Sequence, residues 1–95
     1  MTYKLEFKKS ALKEWKKLNS TVREQLKKKL AQRLETPRVP SAALSGAKDT
    51  YKIKLRQIGY RLIYSVSDET ITVVVIAVGK RNRNDVYNAA LSRLD

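Results

Sequence analysis

The chain reads as an α+β domain: an antiparallel sheet packed against a helical hairpin from the N-terminal third, followed by a C-terminal helix. Three observations predict this. Residues 51–64 (YKIKLRQIGYRLIY) alternate apolar and charged on both sides of a Gly-containing break, as a β-hairpin does. Val22, Leu26, Leu30 and Leu34 recur at helical spacing. Residues 71–78 (ITVVVIAV) form a nearly continuous β-branched run, which marks a central strand covered on both faces.

In order, Tyr3, Leu5 and Phe7 alternate with Lys4 and Glu6, giving an N-terminal strand that joins the three-stranded meander. Ser10 is placed to cap a short helix whose stripe is Ala11, Leu12, Trp15 and Leu18. Asn19 and Ser20 interrupt it. Thr21 followed by Glu24 reads as a capping box opening a longer helix, which Pro37 closes. Residues 38–50 form a loop broken by Pro40, Ser41, Ser45 and Gly46, and Ser67-Asp68-Glu69 reads as a turn. Asn84 or Asp85 caps the last helix, where Val86, Ala90, Leu91 and Leu94 make a thin apolar stripe and Tyr87 lies in the first turn.

Composition narrows the function. Twenty-one Lys and Arg against nine Asp and Glu leave a net charge of +12 on 95 residues, far above what solubility asks of a small domain. Such charge calls for a polyanionic partner, nucleic acid before an anionic membrane, since no segment resembles a basic interfacial helix. No secretory signal opens the chain, and its longest apolar run is too short to span a bilayer. Cysteine is absent, which fits a reducing cytoplasm.

Within the hairpin, a two-residue loop at Gln57-Ile58 sets Arg56 opposite Gly59, Lys54 opposite Arg61 and Lys52 opposite Ile63. Like charges directly across a ladder cost about 0.2–1 kcal/mol. Either the hairpin is an edge carrying Lys against aggregation, or its charged face holds an anion. A second like-charged cluster, Lys80, Arg81 and Arg83, precedes the last helix, whose N-terminal dipole disfavours cations unless an anion lies between. The outer faces of the two N-terminal helices carry Lys13, Lys16, Lys17, Arg23, Lys27, Lys28, Lys29 and Arg33, and Glu14, Glu24 and Glu35 cannot balance them. That row suits phosphate contacts that position without reading sequence.

The chemistry available is narrow. With neither histidine nor cysteine, imidazole acid–base pairs, thiolate nucleophiles and ordinary zinc sites are excluded. The carboxylates show no paired spacing for a magnesium-dependent nuclease, and no phosphate-cradling glycine loop exists. Lys, Arg and Tyr remain. They can align an RNA 2′-hydroxyl on its own phosphodiester and stabilise the extra charge of the pentavalent transition state without a metal or cofactor.

At these residues the chain resembles the RelE toxins of bacterial toxin–antitoxin systems. The resemblance rests on ALKEWKKL at 11–18, VREQLKKKL at 22–30, YKIKLR with GYRLIY in the hairpin, and VGKRNRNDVY at 78–87, and it covers essentially all of residues 1–95 as a single toxin domain. It implies the RelE-like microbial ribonuclease fold and cleavage of messenger RNA in the ribosomal A site, leaving 2′,3′-cyclic phosphate and 5′-hydroxyl ends. It also implies site roles: Lys54 as general base, Arg81 as proton donor to the leaving oxygen, Lys52 and Arg61 stabilising the phosphorane, and Tyr87 stacking on a nucleobase. RNA and ribosome contacts are expected from Lys13, Lys16, Lys17, Arg23, Lys27, Lys28, Lys48, Arg56, Lys80 and Arg83.

The family often has an arginine between Leu and Gly before the hairpin. This chain reads Leu44-Ser45-Gly46, with Lys48 as the nearby substitute. Lowering a lysine from about 10.4 to near 7–8 takes ~4 kcal/mol, more than one exposed neighbouring cation supplies, so alignment and charge stabilisation outrank proton transfer. The implied partners are a RelB-like antitoxin that displaces the C-terminal helix, the small ribosomal subunit with its message, and operator DNA only together with the antitoxin. The competing readings are a noncatalytic RNA- or ribosome-binding module and a DNA-binding regulator, the latter without any recognition-helix signature.

Overall fold

The computed structural model describes residues 2–80 and 85–94. The elements run β1 (Lys4–Phe7), α1 (Lys9–Lys17), α2 (Ser20–Glu35), a 3-10 turn at Pro40–Ala42, β2 (Thr50–Leu55), β3 (Tyr60–Ser67), β4 (Thr72–Lys80) and α3 (Asp85–Arg93). The four strands form one sheet in the order β1-β4-β3-β2. The α+β class is the expected one.

One strand direction is corrected. β2, β3 and β4 are antiparallel neighbours, but β1 runs parallel to β4, pairing Leu5 with Val73 and Phe7 with Val75. The two helices carry the chain across one face of the sheet between β1 and β2, and a connection of that length permits parallel pairing where a tight turn does not. Alternation in Tyr3, Leu5 and Phe7 reports faces, not direction. Tyr3 and Phe7 pack on the core, while Leu5, on an edge strand, stays exposed.

Both expected helix starts also move. Asn19 Oδ1 accepts from the Val22 N–H at 2.9 Å, so α2 begins at Ser20 and the Thr21–Glu24 box is not its cap. Asparagine is among the best N-caps and stands earlier in the chain, so it takes the third backbone donor first. Lys8, not Ser10, is the first flanking residue of α1, and no side chain caps it. The Lys8 N–H instead donates to the Val75 carbonyl at 3.0 Å, so the end of the parallel ladder sets where α1 begins.

Two cores result. Under α1 and α2 lie Leu18, Val22, Leu26, Leu30, Ile53, Leu55, Leu62, Tyr64, Val73, Val75 and Val78. The opposite face holds a smaller group, Leu44, Ile63, Ile76, Ala77, Val86 and Ala90, roofed by α3. A register shift between Ile63 and Tyr64 passes over Ile76. That bulge puts Ile76 and Ala77 on the same side and returns Val78 to the first core, which is why the run 71–78 shows no alternation.

At the end of the sheet away from the hairpin turn, Arg38 bridges Asp49 and Asp68, both at 2.8 Å, and the Tyr3 hydroxyl donates to Asp68 at 2.7 Å. The Tyr3 hydrogen bond, with Arg38 second, holds the Asp68 carboxyl below its ordinary range. A depressed carboxylate contributes stability above its unfolded value and loses it as pH falls through the folded one. The unfolding temperature is therefore expected to fall as the pH drops below about 4, and Asp68→Asn is expected to flatten that decline. A thermal-unfolding series across the acid range checks this.

Candidate active site

The hairpin forms in the expected register: Lys54 pairs with Arg61 and Lys52 with Ile63. Gly59 takes φ +72°, the left-handed value the turn requires, and its N–H donates to the Leu55 carbonyl at 2.8 Å. Ile53 and Leu55 are buried under α2, so Lys52 and Lys54 point to the α3 side of the sheet, while Arg56 already lies in the four-residue turn 56–59, which is longer than the two-residue loop expected. Across the next ladder Arg61 pairs with Gly79. One row of the sheet thus reads Lys54, Arg61, Gly79.

Gly79 has a specific steric task. A Cβ there would stand 3.1 Å from Val86 Cγ2, so the missing side chain lets the first turn of α3 approach β4 closely. That approach brings Tyr87 over the cations. Its ring centroid lies 4.8 Å from the Arg61 guanidinium carbon and 5.9 Å from Lys52 Nζ. Both are within cation–π range, worth about 0.5–2 kcal/mol each according to exposure. The Tyr87 hydroxyl is buried and has no hydrogen-bond partner among the described residues. A buried hydroxyl left without a partner costs about 1–3 kcal/mol.

Lys54 lines three hollows; one runs up to Gln25 and Lys29 of α2, and two open on the cationic wall. Of these two, one, of about 250 Å³, is lined by Lys54, Arg56, Gly59, Tyr60 and Arg61. The other, of about 290 Å³, is lined by Arg33, Ser41, Lys52, Lys54 and Arg56. Lys54 is common to both. Neither Lys52 nor Arg61 forms an ion pair with a carboxylate among the described residues. A concave wall of cations can seat a bent phosphodiester.

The other expected contacts spread out. Lys13, Lys16, Lys17, Lys27 and Lys28 are exposed on the outer faces of α1 and α2, and Arg56 and Lys80 are exposed at the hairpin and at the end of β4. Arg23 is half-buried and donates to the Lys16 and Leu18 carbonyls, capping the end of α1. Lys48 lines a separate hollow with Gly46, Ala47, Leu91 and Leu94, away from the cationic wall. Arg81 and Arg83 lie outside the described residues.

Arg33 is the site residue that pattern reading placed wrongly. It does not extend from the outer face of α2; it turns inward to donate to the Lys52 carbonyl at 3.1 Å and the Tyr64 hydroxyl at 2.9 Å. Tyr64 in turn donates to the Pro37 carbonyl at 2.7 Å. The signal was present: Arg33 follows Leu30 by three and Leu26 by seven, which puts it on the apolar stripe.

Comparison with known proteins decides the family. Residues 5–85 match the ParE toxin of type II toxin-antitoxin system, parDE. Over 94 residues the chain is 58% identical to the mRNA interferase toxin RelE of Escherichia coli strain K12, covering 99% of each. The chain belongs to the RelE/ParE toxin family. Among solved structures, a doubly substituted E. coli toxin RelE in the free state covers 100% of both chains at 56% identity, with TM-score 0.92. The RelE chain of the intact E. coli RelBE toxin-antitoxin complex matches at TM-score 0.82 and 60% identity, over 85% of this chain and 99% of that one. This RelE-family chain therefore has the fold of the free toxin along its whole length. No helix among its described residues is long and apolar enough to cross a membrane.

Proposed function

We propose that this RelE-family chain is the toxin of a type II toxin–antitoxin pair and an mRNA interferase, acting in the cytoplasm on messages held in the ribosomal A site. The observation that carries the catalytic reading is the cationic wall of Lys52, Lys54 and Arg61 with Tyr87 across it. A phosphodiester seated there meets positive charge on several sides, where the transition state gains a negative charge. The message's own 2′-hydroxyl attacks the adjacent phosphorus, the bond to the 5′-oxygen breaks, and the products are a 2′,3′-cyclic phosphate and a 5′-hydroxyl. Lys52 and Arg61 stabilise the phosphorane. Lys54 aligns the 2′-hydroxyl and is the candidate to take its proton, while Arg81 stabilises the charge on the leaving oxygen, which is protonated from water. Tyr87, held over the two cations, stacks on a base and fixes the scissile step.

The exposed cations of α1 and α2 position the protein on ribosomal RNA, and the ribosome orders the message. The partner that silences the toxin is a RelB-like antitoxin, a segment that folds across the chain and displaces α3; together the two occupy operator DNA. Displacement fits the thin apolar face of α3, on which Val86 and Ala90 are the buried side chains and Leu91 is 41% exposed.

The test is to add the protein to translating ribosomes and to free message, then map and chemically type the new ends. Cyclic-phosphate ends in the A-site codon, absent without ribosomes, are expected. An intact message on bound ribosomes would instead make this a noncatalytic ribosome-binding module.

A further inference from the structure

We propose that Glu14 and Arg93 are positioning residues that act through Tyr87, clamping the far end of α3 so that its first turn stays over the cationic wall. The inference rests on the preceding reading only for what Tyr87 does to the message; the clamp itself is geometric.

Apolar contacts hold α3 weakly, as its two buried side chains are Val86 and Ala90. Its polar attachment is denser and lies at the other end. Arg93 donates through both guanidinium nitrogens to the Glu14 carboxylate, at 2.9 and 3.1 Å, and again to the Ile76 carbonyl at 2.9 Å. Lys8 Nζ donates to the Arg93 carbonyl at 3.0 Å. The pair is partly buried, with Glu14 33% and Arg93 24% exposed, so water screens this forked contact less than it would on an open surface.

Glu14 also accepts from the Val78 N–H at 3.1 Å. β1 ends its pairing with β4 at Val75, so this carboxylate serves a β4 donor that lies beyond the edge strand. Val78 precedes Gly79, the residue that admits Val86 and pairs with Arg61. One side chain of α1 therefore fixes both the last residue of α3 and the stretch of β4 on which the first turn of α3 rests. Arg93 lies six positions after Tyr87, roughly 9 Å along the helix. A short helix held at one end by steric fit and at the other by a charged fork has one seat, and that seat puts the Tyr87 ring 4.8 Å from Arg61.

The test compares Glu14→Gln, Arg93→Met and Arg93→Lys in the full chain. A hydrogen bond to a charged group is worth roughly an order of magnitude in an equilibrium constant. Amide exchange in α3 is expected to speed up about tenfold in Glu14→Gln and Arg93→Met while β3 and β4 keep their protection. The Arg61 side-chain protons should lose the ring-current shift that Tyr87 gives them. On ribosomes the single-turnover cleavage rate should drop about tenfold at unchanged half-saturation, with Arg93→Lys recovering most of it. In a Tyr87→Ala background, Glu14→Gln should cost nothing further. Unchanged α3 exchange with an unchanged Arg61 ring-current shift would overturn the clamp, and a full additional loss on top of Tyr87→Ala would overturn the route through Tyr87. A wild-type chain that cut no message would defeat the enzyme reading, and the exchange and ring-current measurements would still decide the clamp.

Discussion

Lys54→Ala is expected to reduce message cleavage on translating ribosomes by about 10²–10⁴-fold, the range for losing a positioned acid–base group or one preorganised charge. Its side chain lies on the wall both hollows share, opposite Arg61, so removal takes charge from the centre of the site. The fold should survive, because the position is only half-buried and its strand is held by Ile53 and Leu55 on the other face. Lys54→Arg separates the two roles open to this residue. A guanidinium keeps the positive charge but does not deprotonate in a protein, so an electrostatic role retains much of the rate and a general-base role loses nearly all of it. End mapping under single-turnover conditions reads both variants. A Lys54→Ala chain that cuts as fast as wild type would remove this residue from the chemistry.

The second large effect is on stability. Leu62→Ala should cost about 2–5 kcal/mol, as buried leucine truncations do when the surroundings only partly collapse. Leu62 is fully buried on β3, between strands on both sides and beneath the α1–α2 layer. A domain this size has only about 5–15 kcal/mol in all, so the midpoint of thermal unfolding should fall by at least about 8 °C. Urea unfolding at constant slope checks the magnitude. A cost below about 1 kcal/mol would mean that the first core is not the main source of stability. The contrast with Lys54 is instructive, since residues 54 and 62 are nearly opposed on one hairpin yet face different sides of the sheet.

How far the site was legible follows from which forces act locally. The Lys54–Arg61 pairing was readable because alternation has a period of two and Gly59 pins the turn, so any slip would turn apolar residues to water. The long helix was readable from Val22, Leu26 and Leu30, all buried as the spacing required. Its start was missed because Asn19 and Thr21 are both competent caps, and local chemistry alone does not rank them. Arg33 was misread because charge was weighed above position on the helix.

The amino-acid order alone determined the α+β class, the hairpin register and the concentration of positive charge on one face of β2 and β3, because each follows from contacts between near neighbours in the chain. Tertiary structure alone decided that β1 runs parallel to β4, that Tyr87 covers Lys52 and Arg61, and that Glu14 reaches Arg93, 79 residues away. Those depend on how separate elements stack, and nothing in a local pattern encodes the distance between two elements that meet only after the core has closed.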